Sequence, residues 1–570
     1  MNDVRRALLW GIFSLSLVML WDGWTRHNGG PSMFSPATPA QVASAAASAN
    51  GVPSASGVAQ PAAAAAPGAV PAAAAAASAA GETVQIVTDT MKATLDSRGG
   101  SLVRVELLTF RDQHDAKTNV VLLDRSAQRV YTAETGLIAA GTGAALPNHT
   151  TAMTLLPGDR QLAEGQKELK VAFETTSADG LQWVKTYTFR RGEYTVGVQQ
   201  QLKNGGGAPV AAQAYYQLLR DGNPPPNESS FYFTFTGPAV YTDAGKFQKI
   251  EFKDIEKREA GDKPGHETKA DNGWVAMVQH YFTSAWLLSD TSSREIFTRK
   301  VDKNLYAVGM IQPLGELAPG ASRTLEATLY IGPQEEKKLE TLAPGLELVK
   351  DYGWLTLLAK PLFWLLDRLH GLIGNWGWAI VALVVLLKAA FYWLNASAYR
   401  SMGKMKAINP KVQELRERHK DDPQKMQQEM MRIYREEKVN PLGGCLPIFV
   451  QMPFFIALYW VLLSSVEMRG APWLYVSDLA QADTLFFIIP GLNMPVGPLP
   501  LLMVASTVLQ TWLNPTPPDP VQAKMMWIMP LAFSVMFFYF PAGLVLYWFT
   551  NNVLSIAQQW MINRQLGLSH

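Results

Sequence analysis

At 570 residues the chain is longer than one hydrophobic core usually organises, which excludes a single compact domain. Charged residues are 17% of it, against about 25% in soluble proteins, and the deficit is concentrated at the start and in the last third, as membrane segments would require. A net charge of +2 with no basic block excludes a nucleic-acid footprint, and a single cysteine, Cys445, excludes an intrachain disulfide and a paired thiolate metal site.

Residues 1–24 read as a transmembrane anchor. Arg5 and Arg6 precede an uncharged run from Ala7 to Trp21, and the positive-inside rule keeps that end cytoplasmic. A cleaved signal peptide is the competing reading, because an apolar run of about 15 residues also fits an h-region. Trp21 and Trp24, placed as an interfacial belt with no small-residue site directly behind the run, favour the anchor. Residues 25–81 are rich in Ala, Pro, Ser and Gly and read as a disordered tether, with interspersed prolines, among them those at 53, 61, 67 and 71, opposing a continuous helix.

From 82 to 350 the pattern changes to short alternating segments, such as Thr83-Val-Gln-Ile-Val and Tyr187-Thr-Phe-Arg, separated by turn residues. This predicts an all-β domain, a large sandwich. His114, His149, His266 and His280 are scattered without cysteine or acidic partners at ligand spacing, so no catalytic site, metal or cofactor is expected there. Pro333 to Lys350 reads as a charged helix. Residues 351–372 read as an amphipathic helix lying in the membrane interface, with Leu355, Leu358, Leu362, Phe363, Leu366 and Leu369 against the polar points Lys360, Asp367, Arg368 and His370.

Trp376 to Leu394 is the second span, apolar except for Lys388. Residues 399–440 form a charged helical hairpin, divided at Asp421-Asp422-Pro423, and its eleven lysines and arginines assign it to the cytoplasm. Leu446 to Val466 is the third span, followed by a short non-cytoplasmic loop from Glu467 to Asp483. Leu499 to Leu513 is a fourth, only about 22 Å long. Met525 to Gln559 is uncharged and broken by Phe540-Pro-Ala-Gly into a fifth and a sixth. Six crossings put both termini in the cytoplasm and residues 25–350 outside it. Lys388 lies about 18 Å along its helix, where an unpaired charge costs a few kcal/mol. It therefore needs a wet cavity, unless its stem snorkels to the interface.

Several segments carry a family resemblance: Asp351-Tyr-Gly-Trp, Gly374-Asn-Trp-Gly, Met402-Gly-Lys-Met, Glu437-Lys-Val-Asn-Pro-Leu-Gly-Gly-Cys-Leu-Pro, Gln451-Met-Pro-Phe-Phe-Ile-Ala-Leu-Tyr and Phe540-Pro-Ala-Gly-Leu-Val-Leu-Tyr. On these the chain resembles the YidC/Oxa/Alb membrane-protein insertases, and its anchor and exported domain resemble the Gram-negative branch. The resemblance implies a five-helix insertase core over 373–570, a periplasmic β-supersandwich similar in fold to sugar mutarotases and largely dispensable, and residence in the inner membrane. It further implies a hydrophilic groove open to cytoplasm and lipid, with Lys388 as its charge and Gln451 and Asn551 as its polar lining. Met452, Phe455, Met536, Tyr547 and Trp548 match the apolar slide along which a substrate helix leaves. In most members the groove charge is an arginine. Lysine is a point charge that loses its proton more readily when desolvated, whereas arginine offers a bidentate fork.

The implied partners are nascent membrane proteins, the Sec translocon, the ribosome through the 400–440 hairpin, and the lipid bilayer, with no direct nucleic-acid contact. No bond is made or broken, so an enzyme is not expected. A membrane transporter is the alternative, opposed by the lack of an inverted repeat and of a second intramembrane ionisable residue. A membrane-anchored carbohydrate enzyme would need convergent acid and base residues within 82–332.

Overall fold

The computed structural model describes residues 81–113, 115, 117–140, 146–225, 234–259, 261–419, 422–437, 446–514 and 520–565. The expected anchor over 1–24, the tether up to residue 80, and His114 lie outside them. Two compact units divide the described chain, one ending at Lys350 and the other beginning at Asp351.

The first unit is a sandwich of two nine-stranded sheets with antiparallel pairing throughout both ladders. In one sheet the five strands between Thr83 and Ala139 are followed in space by Val210–Asp221, Leu305–Leu317, Arg294–Asp302 and Lys269–Ala270. The other centres on Phe282–Leu287, Ser322–Pro333, Thr195–Asn204 and Leu181–Arg190. Period-two patterning sets the faces: along Leu181–Arg190, residues 181, 183, 185, 187 and 189 are buried and their neighbours are not. The inner faces meet through large aromatics, including Trp183, Trp286, Tyr131 and Tyr215. The Trp286 indole donates to the Gln217 carbonyl at 3.0 Å, and Tyr131 and Ser284 hydroxyls pair at 2.6 Å across the sandwich.

Two expectations for this unit need correction. The charged helix over 333–350 is broken. Strand runs to Pro333, α2 covers only Glu336–Leu342 after the short α1 (Phe252–Glu256), and a 3-10 turn covers Leu346–Val349. Pro344 drives Ala343 to extended backbone, and Gly345 at φ 73° lies where a Cβ would stand 2.3 Å from the Tyr241 ring. His149 is not without an acidic neighbour: its Nε2 lies 3.7 Å from Glu134 Oε2, both side chains buried. The strand Val130–Ala139 and a distant loop bring them together, which spacing along the chain cannot reveal. His266 is tied down by Thr298 at 2.9 Å and the Glu267 carbonyl at 2.8 Å, a structural role. Among the described residues no group of three or more His, Cys, Asp or Glu could hold a metal ion.

The second unit is helical: α3 (Thr356–Ile373), α4 (Trp376–Ala390), α5 (Tyr392–Arg418), α6 (Pro423–Glu436), α7 (Leu446–Ser464), α8 (Pro498–Leu513), α9 (Pro520–Met536) and α10 (Ala542–Gln565). Gly374 in the left-handed region ends α3 and the Asn375 side chain caps α4 by accepting from the Trp378 amide. Asp422 caps α6 with Pro423 in its first turn, the break expected from the sequence. Gly377 allows the indole of Trp473 to lie against α4, since a Cβ there would stand 2.2 Å from the ring. α3 buries Ala359, Leu362, Phe363 and Leu366, while Leu357, Trp364 and Leu372 are exposed, so it has two apolar faces rather than one.

No single described helix is long and apolar enough to cross a membrane alone. One pair passes together, Trp376–Ala390 with Tyr392–Met405, bent by 67°, and Val450–Ser464, Pro498–Leu513 and Ala523–Met536 are shorter apolar helices. The second span therefore does not run straight to Leu394 but breaks at Phe391, and the hairpin's first helix starts at Tyr392 rather than near 399. Just past the break Gln558 Nε2 donates to the Tyr392 carbonyl at 3.0 Å, tying the start of α5 to α10. The loop after α7 is also longer than expected, reaching Gly497 and containing a hairpin of Phe487–Ile489 with Met494–Val496.

Candidate functional site

Lys388 lies in the last turn of α4, where the helix carbonyls favour a cation. Its ammonium donates to Ser555 Oγ at 2.7 Å, and the Ser555 hydroxyl donates to the Asn551 carbonyl at 2.8 Å, so the charge joins α4 to α10. Beside it opens a groove of about 190 Å³ lined by Val384, Leu387, Lys388, Phe391, Gln451, Met452, Phe454, Phe455, Tyr547 and Asn551. None of these is acidic, so the ammonium meets no carboxylate among the groove's lining residues. Such a cavity is apolar-walled with one cation and a few amides, and an acidic or strongly polar guest gains most from it.

The Gln451 amide donates to Asn395 Oδ1 at 2.9 Å, fixing α7 to the first turn of α5. Phe391 meets Phe454 edge to face at 5.1 Å. Phe455 packs on Tyr547 at 5.8 Å and on Trp548 at 4.3 Å, and Trp548 in turn meets Phe537 at 4.3 Å. Of the residues singled out in the sequence, Lys388, Gln451, Asn551, Met452, Phe455 and Tyr547 therefore share one groove. Trp548 stands one layer behind Phe455, and Met536 ends α9 outside the lining.

Asn395, Ser555 and Gln558 were passed over in the sequence. Their signal is a polar stripe at three- and four-residue spacing on α10, where Asn551, Asn552, Ser555, Gln558 and Gln559 recur in a stretch without charge. Asn552, Ser555, Gln558 and Gln559 each bond to another helix. The Asn552 amide donates to Ser506 Oγ at 3.1 Å and Thr507 Oγ1 at 3.3 Å on α8, and Gln559 donates to the Leu513 carbonyl at 3.2 Å, at the end of that helix.

A family model described as the YidC periplasmic domain matches residues 83–365, and one described as 60Kd inner membrane protein matches 368–568. The membrane protein insertase YidC of Cupriavidus necator is 55% identical over 568 residues, covering 99% of this chain and 98% of that protein. The YidC of Janthinobacterium sp. (strain Marseille) is 51% identical over 571 residues, covering 99% and 100%. This chain belongs to the YidC family of membrane protein insertases. A solved structure of an active YidC insertase with its first transmembrane domain resolved is similar over 84% of this chain and 92% of that one, at 17% identity and a TM-score of 0.38. Membership in the YidC family makes the chain a membrane protein insertase and not an enzyme. In this YidC member a lysine at 388 is the groove's one cation among its lining residues.

Proposed function

We propose that this insertase lodges the short polar flank of an incoming membrane segment in the groove beside Lys388 while the segment's apolar helix leaves along Met452 and Phe455 into lipid. The observation that carries the reading is the joining of a lone cation, two amides and a half-exposed apolar edge in one cavity with no acidic lining. An acidic flank gains Coulomb energy from Lys388 and hydrogen bonds from Gln451 and Asn551. The short helices favour the same transfer: α8, with 16 residues, is about 24 Å long, below the roughly 30 Å of ordinary bilayer hydrocarbon. A locally thinned bilayer lowers the cost of moving a polar segment.

The topology we assign has six spans, residues 1–24 as anchor, both termini in the cytoplasm and the β-sandwich in the periplasm. The basic hairpin over 400–440 then faces the cytoplasm, where it receives the nascent chain and meets the ribosome. The Sec translocon is a further partner on this reading, and α3 lies in the interface with Leu357 and Trp364, and Trp354 of the turn before it, toward lipid. Photo-crosslinking tests the route. With benzoylphenylalanine in place of Met452, a stalled nascent membrane protein should crosslink through its apolar segment, and with the probe at the exposed Ile528 on α9 it should not. Equal crosslinking from both positions would remove the slide from this account.

A further inference from the structure

The loop between α7 and α8 carries a feature that the groove does not use. Phe487–Ile489 pairs with Met494–Val496, and five large apolar side chains within eight residues, Leu485, Phe486, Phe487, Ile488 and Leu492, are each more than half exposed. A two-stranded hairpin is marginal in water, and one that shows its apolar residues to water is worse. This one is nonetheless built firmly. The Asp483 carboxylate accepts from the Tyr475 hydroxyl at 2.8 Å, the Leu499 amide at 3.0 Å and the Leu485 amide at 3.2 Å, clamping both ends of the hairpin. Gly497 makes room for that carboxylate, since a Cβ there would stand 2.0 Å from it. At the tip, the Tyr539 hydroxyl donates to the Leu492 carbonyl at 3.0 Å.

We infer that this hairpin is a membrane-interface anchor, seated at the headgroup and acyl boundary of the leaflet into which the N-terminal end of α8 points. Three observations select lipid as its occupant. First, no charged residue occurs from Thr484 to Leu513, and beyond the hairpin Leu501, Leu502, Val508, Leu509 and Trp512 of α8 are exposed as well. Second, α8 is about 6 Å short of the usual hydrocarbon thickness, and apolar side chains at its outer end supply the missing length. Third, the sheet has only two strands, so its outer edges keep unpaired backbone groups that the hydrocarbon core would not accept but the wet interface does. Pro490 and Pro495 lower that demand by removing two amide donors. The inference rests on membrane residence and not on the groove, so the two stand or fall separately.

Site-directed spin labelling of the full chain tests it. Cys445 is replaced by serine, a nitroxide is placed at Ile488→Cys or, as a second position, Leu492→Cys, and the protein is put in nanodiscs of phosphatidylethanolamine and phosphatidylglycerol. Leu501→Cys serves as a lipid reference and Lys303→Cys in the β-sandwich as a water reference. Collision with oxygen should exceed collision with the nickel chelate severalfold at 488 and 492, at a depth of about 5–10 Å. If the nickel chelate reaches 488 and 492 as it reaches 303, the hairpin lies in water and the inference fails. If neither quencher reaches them, a protein surface covers the hairpin, whether a second copy or another partner, and the inference fails equally.

Discussion

Changing Lys388 to glutamate is expected to cut insertion of a substrate with an acidic translocated flank by about 100-fold, with Lys388→Ala falling between the two and Lys388→Arg staying within about twofold of the parent. At roughly 6 Å and an effective dielectric of about 40, suited to a wetted groove, one charge pair is worth about 1.4 kcal/mol, or tenfold. Alanine forfeits that term and glutamate reverses it. The groove's lining contains no carboxylate that could compensate. Arginine retains the charge and can still reach Ser555, the present acceptor at 2.7 Å. The measurement is the protease-protected fraction of a small single-span substrate after depletion of the chromosomal insertase and complementation. A misfolded variant would also fail, so the substrate is varied as well: with its flank changed from acidic to lysine, the glutamate variant should outperform the parent. If the glutamate variant inserts both substrates as the parent does, the electrostatic part of the mechanism is wrong.

How much of this was legible in the sequence depended on whether the cause was local. Strands such as Leu181–Arg190 alternate cleanly because one face is buried, and the break before α10 is written in Phe540-Pro541. The bend at Phe391 has neither Gly nor Pro beside it. The contact beside it comes from Gln558, 166 residues away, donating to the Tyr392 carbonyl, and no periodicity in the span reports that. The lining of the groove was partly legible, because a lysine and a few amides stand out in apolar helices. Ser555 was not, because a serine in a membrane helix commonly bonds to its own backbone, and this one does so while also holding Lys388. The hairpin at 487–496 escaped because three-residue strands carry no periodic signal and its apolar residues resemble the beginning of the next span. Glu134 and His149 met only through the fold.

Lys185 is the sandwich's counterpart to Lys388, and it leads to the second large effect. It occupies a core-facing position of its strand, where its ammonium donates to the carbonyls of Gly99 at 2.5 Å and Thr135 at 3.3 Å and lies 4.6 Å over the Trp183 ring. Burial lowers it to about 7, against the upward pull of Glu134. His149 is lowered too, chiefly by burial and further by Lys185 and Arg299, with Glu134 opposing. The sign follows from proton counting. Between about pH 7 and the unfolded value near 10.4, the unfolded lysine holds a proton that the folded one lacks, so stability rises with pH. Below about 7 both states are protonated and the burial cost is fully felt. For one group moved this far the gain from pH 7 to 9 is about 2 kcal/mol. Above pH 10 the trend should reverse, since Tyr187, Tyr215 and Tyr216 are held well above their ordinary value by burial and an ionised unfolded tyrosine favours unfolding. Lys185→Met removes the titrating group and leaves two carbonyls without their donor, a cost of about 1–3 kcal/mol each if unrelieved, offset by the lost desolvation penalty. Its curve should be flat from pH 7 to 9 and cross the parent's. Hydrogen exchange of the 181–190 peptide in the full-length protein, followed across a urea series at pH 7, 8 and 9 and corrected for intrinsic exchange rates, gives the midpoints. Parallel curves for parent and variant would show that Lys185 does not titrate in this window.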